Sequence, residues 1–262
     1  MQRLLILTLI ATTTALVACA TSPLGRSQLQ LFPESQMAEM GVAAFQDMKQ
    51  QQPLETSSQT NGYVSCVARA IIAELPEQRT WEVQVFKDDS ANAFALPGGK
   101  IGVHTGLLKV ADNQDQLAAV IGHEVGHVLA QHSNERMSIQ YATQTGTQLV
   151  AALAGGDSAE KQTLMGLLGV GAQYGVQLPF SRKHEAEADV IGLDLMAEAG
   201  FDPRASVDLW RNMAANSGGS PPEFLSTHPS NQTRIEGLQA RIPEAMPLYQ
   251  QAQSAGRAPN CG

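Results

Sequence analysis

His123-Glu124-Val125-Gly126-His127 carries the residue types and the spacing of a metal-dependent hydrolase. The motif lies in the run LAAVIGHEVGHVLAQH, where Leu117, Val120, Ile121, Val125, Val128 and Leu129 recur at helical intervals, so the spacing predicts a buried helix. Residues four apart share a helix face. His123 and His127 therefore present two imidazoles to one point, and Glu124, one step round, reaches a water held there. Zinc accepts neutral imidazole, and a catalytic site keeps one position for water, whose pKa falls to roughly 7 on the metal. Glu124 is then the expected general base, taking a proton as the water attacks a carbonyl and passing it to the leaving amine. Burying two imidazoles and a carboxylate without partners is costly, which weighs against a chance match on a core helix.

Two histidines leave the shell one protein ligand short. Glu185 is the best candidate, with Glu187 next, on the predicted helix Glu185-Ala186-Glu187-Ala188-Asp189. Asp189 shares the face of Glu185 and is placed to orient a ligand. His132 falls off the ligand face and is expected to cover the end of the motif helix, while His184 reads equally as a surface residue or a helper.

The elements that must position these residues follow from periodicity. Helices are predicted at 35–50 and at 63–74, the second with Val64, Val67, Ile71 and Ile72 on one face. Trp81 to Phe86 alternates as a strand, and 92–104 reads as two strands about a Pro97-Gly98-Gly99 turn. Pro97 cannot donate to a central ladder, which puts the preceding strand at a sheet edge. Beside a zinc site, such an edge at Asn92, Ala93, Phe94 and Ala95 suits an extended peptide substrate. His104 is expected to fill the hairpin. Region 139–176 reads as two helices broken near Gly155-Gly156-Asp157; its glycines indicate close packing, with a mobile cover over the site as the other reading. The apolar stretch Leu164 to Gly171 is too short to span a bilayer. A helix continues from Ser181 through Met196, Asp202-Pro203 starts another, and a last one carries Arg234, Ile235 and Leu238.

The 262 residues suffice for one large domain. A net charge of −8 with no basic cluster speaks against nucleic-acid binding. Met1-Gln2-Arg3 and the apolar run to Val17 have the form of a secretory signal, ending in Leu16-Val17-Ala18-Cys19, which resembles a bacterial lipobox. That resemblance implies cleavage before Cys19 and lipidation of its thiol; Ala20, rather than an aspartate, implies the outer membrane. The expected organisation is a signal peptide at 1–18, a flexible tether at 19–36 and a catalytic domain at 37–262. Cys66 and Cys261 then remain as a pair in an oxidising compartment and are expected to bridge, restricting the unfolded chain by roughly 4–5 kcal/mol.

Asn92-Ala93-Phe94 with Pro97-Gly98-Gly99, the helix from Ile121 to His132, Ser181-Arg182 with Glu185 to Asp189, and Thr227-His228-Pro229 with Arg234 stand in an order that resembles the HtpX-like zinc metallopeptidases. Within them the likeness is to the periplasmic lipoprotein branch that includes BepA and LoiP. The resemblance implies a gluzincin fold, mainly α with a small edge-exposed sheet (α+β). It implies one zinc ion held by His123, His127 and Glu185, Glu124 as base, and Asp189 behind a histidine. His228 and Arg234 match positions near the metal, where they steady an oxyanion or contact substrate; the matching histidine in some members blocks the open metal position. The expected activity is a lipid-anchored endopeptidase facing the periplasm that degrades misfolded or misassembled envelope proteins. A chaperone-like assembly lipoprotein with a zinc fold and little proteolysis is the alternative.

Overall fold

The computed structural model describes residues 19–76, 80–153, 181–215 and 232–262, together with 224, 226 and 228. Residues 1–18, expected to be a signal peptide, the expected break and apolar stretch within 154–180, and residues 217–222 lie outside the described residues, as does the side chain of Cys19.

Residues 19–36, expected to be a flexible tether, contain a paired ribbon. Strands β1 (Cys19–Thr21) and β2 (Ser27–Leu29) run antiparallel, with Thr21 opposite Ser27. The turn between them is closed by Ser22, whose Oγ accepts from the Arg26 N–H at 3.1 Å. The polar side chains that suggested a tether instead dock the ribbon: Gln28 Nε2 donates to the Ala130 carbonyl at 2.7 Å, and the Leu31 N–H donates to Ser138 Oγ at 2.8 Å. Hydrophobic periodicity carries no trace of such polar docking.

Helix α1 (Glu34–Gln51) has Glu34 in its first turn and Lys49 in its last, charges that complement the helix dipole. Helix α2 (Ser58–Ala73) begins earlier than its apolar face suggests, because Ser57 caps it, accepting from the Thr60 N–H at 3.3 Å. Strands β3 (Glu82–Phe86), β4 (Ala93–Leu96) and β5 (Lys100–His104) form one sheet in the order β3-β5-β4, with β3 parallel and β4 antiparallel to β5. Gly98 and Gly99 make the β4–β5 turn at φ +83° and +73°, a region glycine enters without strain. As Pro97 predicts, β4 is an edge strand. Its residues are nonetheless only 1–8 % exposed, because helix α3 (Gln114–Leu129) lies against it and the Phe224 N–H reaches the Ala91 carbonyl.

Asn113 caps α3 through the Gln116 N–H at 2.9 Å. The helix stops at Leu129. Ala130 and Gln131 turn the chain, Gln131 with a left-handed φ of +50°, and α4 (His132–Leu153) starts at once. Helix α5 (Arg182–Glu198) opens on a capping box between Ser181 and His184. Helices α6 (Ala205–Ala215) and α7 (Gln232–Ser254) complete the described chain, α7 with Pro243 and Pro247 inside it. The class is mainly α with small sheets, as expected.

The main core gathers Val64, Val67 and Ile71 from α2, Ile101 and Val103 from β5, and Leu117, Ile121 and Val125 from α3 around Met196, Leu209 and Met213. A second cluster, Phe45, Phe86, Phe94 and Leu96, joins α1 to the sheet. Cys66 and Cys261 are bonded, with Cα atoms 5.6 Å apart, which fastens residues after α7 to α2 across 195 positions. Among the described residues no helix is long and apolar enough to cross a membrane.

Candidate metal centre

Helices α3 and α5 meet where side chains are missing. A Cβ on Gly122 would lie 2.7 Å from the Gly192 carbonyl oxygen, one on Gly126 would lie 2.9 Å from that of Ala188, and one on Gly192 would lie 2.6 Å from the His123 nitrogen. This backbone-to-backbone approach lays one face of α5, Glu185, Ala188, Asp189 and Gly192, against the face of α3 that carries His123 and His127. Glycine inside the helices costs propensity, and here it makes room for the site.

His123 Nε2 and His127 Nε2 are 3.0 Å apart, and the two oxygens of Glu185 stand 3.4 and 3.5 Å from them. His228 joins the group, its Nδ1 3.3 Å from His123 Nε2 and 3.2 Å from Glu185 Oε1. Ligand atoms of these four buried residues all lie within 4.8 Å of one another. Glu124 sits beside them, its Oε2 accepting from the Ala95 N–H at 3.1 Å and its Oε1 3.3 Å from His228 Nε2. Sequence-predicted His123, Glu124, His127, Glu185, Asp189, His228 and Arg234 are thus brought together, and Ala95 reaches the same group through its backbone. Ala93 and Phe94 lie in the adjoining edge strand, and Asn92 just before it.

The donor set fits a cation. Three imidazoles and a carboxylate turn nitrogen and oxygen lone pairs toward one point, and imidazole nitrogens at 3.0 Å repel unless a proton or metal lies between them. The outer nitrogens are already engaged: His123 Nδ1 is 2.9 Å from Asp189 Oδ1, and His127 Nδ1 is 2.9 Å from His132 Nδ1. The mixed nitrogen and oxygen ligands suit zinc.

Electrostatics follow burial and pairing. Burial works against a charge on His123, but its contacts with Asp189 and Glu185 outweigh this and push it up to about 9. Burial, together with the neighbouring imidazoles, takes His127 well below its ordinary value. Burial also raises the Glu124 carboxyl, as suits a general base. Glu185 feels the same burial yet is held well below the carboxylate range by His123 and His228.

Arg234, expected near an oxyanion, is engaged as a clamp. Its Nε and Nη2 donate to both oxygens of Asp189 at 2.8 and 2.6 Å, its Nη1 is 2.7 Å from Glu185 Oε2, and its guanidinium lies 4.0 Å from the Trp210 ring centroid. His132, expected only to cover a helix end, is fully buried and touches His127; its Nε2 lies 3.1 Å from Glu187 Oε2. Glu187, the other ligand candidate, faces His132 and Arg26 rather than the four-residue group. His184 is buried, stacked on His132 at 4.5 Å, with its Nε2 3.1 Å from Glu135 Oε2. His104 fills the hairpin, as expected, against Phe86 and Phe94.

Residues 58–242 match the model of peptidase family M48. A mitochondrial metalloendopeptidase OMA1 from Schizosaccharomyces pombe is 41% identical over 189 residues, covering 71% of this chain and 54% of its own length. OMA1 of Arabidopsis thaliana is 36% identical over 248 residues, 92% of this chain and 48% of its own. The beta-barrel assembly-enhancing protease of Escherichia coli is 28% identical over 235 residues, 86% and 47% respectively. The chain spans about half the length of these curated relatives.

Proposed function

The chain belongs to peptidase family M48, and from that premise we propose that it is a zinc-dependent endopeptidase of the bacterial cell envelope. In this reading residues 1–18 are a signal peptide, Cys19 carries the lipid that holds the enzyme to the outer membrane facing the periplasm, and 37–262 form the catalytic domain. Its clients are unfolded or misassembled envelope proteins, by analogy with the relative named for enhancing β-barrel assembly. The observation that carries the activity is the convergence of His123, His127 and Glu185 beside the Glu124 carboxylate.

A bound zinc ion would supply Lewis acidity, drawing charge from the scissile carbonyl and acidifying water. Glu124, oriented by the Ala95 amide, takes the proton of the attacking water and delivers it to the leaving amine. Asp189 and Arg234 hold His123 and Glu185 in place. An extended substrate along β4, at Asn92 to Ala95, would have to displace the Phe224 N–H from the Ala91 carbonyl.

The test pairs metal analysis with casein digestion, with and without chelator. Wild type should hold one zinc and cleave. Glu124→Gln should keep the zinc and lose cleavage by about 10²–10⁴-fold, and full activity in that variant would sink the reading. No digestion from a zinc-loaded chain would favour the chaperone-like alternative, and digestion unaffected by chelator would show that cleavage does not depend on the metal. Glu185→Ala should lose both metal and activity.

A self-inhibited resting state is the second reading. Two contacts favour it: His228 stands among the donors, and the Phe224 N–H occupies the Ala91 carbonyl at the start of the substrate edge.

A further inference from the structure

We propose that Arg26, Glu187 and His132 are positioning residues that fix the tautomer of His127, so that the N-terminal ribbon sets how firmly the centre holds its metal. The inference rests on the reading above, because it takes His127 as a ligand.

Arg26 lies on the turn between β1 and β2. Its Nη1 and Nη2 each donate to Glu135 at 2.7 Å, and its Nε donates to Glu187 Oε2 at 2.8 Å. One planar guanidinium therefore sets both carboxylates, a geometry a lysine cannot reproduce. Glu187 Oε2 also faces His132 Nε2 at 3.1 Å. A carboxylate only accepts, so the proton of neutral His132 resides on Nε2 and its Nδ1 is the acceptor. That Nδ1 lies 2.9 Å from His127 Nδ1, which must then be the donor. With its proton on Nδ1, His127 turns a bare Nε2 toward His123 and Glu185. The opposite tautomer would point an N–H into the donor set and exclude a cation.

The two ligand histidines are thus served from opposite sides. Asp189, gripped by Arg234, orients His123; His132, gripped through Glu187 by Arg26, orients His127. His184, held by Glu135, stacks on His132 with an interplanar angle of 25° and limits its rotation. Outer partners of this kind set metal affinity as well as geometry.

The experiment loads the full chain with zinc and follows its transfer to a chromophoric chelator, with cobalt(II) absorption as a report on the ligand set. His132→Leu should release zinc about 10–100-fold faster. His132→Gln, whose amide has one acceptor for His127 and one donor for Glu187, should stay within about threefold of wild type and keep its cobalt spectrum. Arg26→Met, on a side chain 26 % exposed, should speed release by roughly tenfold and carries the test if His132→Leu does not fold. Wild-type release from His132→Leu or from Arg26→Met would overturn the proposal, as would equal release from the Leu and Gln variants. If wild type itself takes up no stoichiometric zinc, the metallopeptidase reading fails instead.

Discussion

At the scale of single residues, the centre shows which positions a spacing argument reaches. His123, Glu124 and His127 were legible because helix periodicity converts sequence distance into a shared face. Glu185 was legible because two histidines leave a ligand missing, and Asp189 followed on the same turn of helix. His132 was not. Counted along one continuous helix it points away, but Gln131 at φ +50° ends that helix, and the new one folds His132 back onto His127. Arg234 was legible only through the resemblance, and nothing in its spacing announces that Asp189 and Glu185 engage its guanidinium. His228 gives a prediction at this scale. If its place among the donors marks a resting state, His228→Ala should raise casein cleavage by on the order of tenfold, the effect of removing a competing state about 1.4 kcal/mol lower. Cobalt absorption should shift with it. Unchanged rate and unchanged spectrum together would remove the switch.

At the scale of elements, the crossing of α3 and α5 decides the geometry, and it depends on glycines that no motif argument singles out. Gly192→Ala would set a methyl 2.6 Å from the His123 nitrogen, which backbone cannot accommodate without moving. It should cost about 1–3 kcal/mol in a denaturant titration and weaken zinc retention, because the helices that carry the ligands are forced apart. Gly62 offers the contrast. It lies in α2, exposed, with nothing within 4 Å of an added Cβ, so Gly62→Ala should stabilise by about 0.5–1 kcal/mol with zinc binding unchanged. The sheet was readable from alternation and from Pro97, which places β4 at the edge. The covering of that edge was not, since it comes from distant chain, α3 and Phe224. The ribbon at 19–29 was hidden for a related reason: it is held by Arg26 and Gln28, and polar side chains leave no periodic mark.

At the scale of the whole molecule, the disulfide ties residues after α7 back to α2, and such bridges persist in oxidising compartments, in keeping with the proposed envelope location. Replacing Cys66 and Cys261 together by alanine should lower stability by about 2–5 kcal/mol, read as a lower midpoint in urea. A midpoint equal to that of wild type would show that the bridge adds nothing. The long closure has another side. The helix that carries His123 and His127 is incomplete alone: Glu185 arrives with α5, the guanidinium that contacts it with α7, and Arg26, which reaches His132 through Glu187, with a turn near the start of the chain. Parts from Arg26 to Arg234 contribute to the finished centre. In the proposed reading, a partly unfolded copy is therefore a substrate for its folded siblings rather than an active enzyme among them.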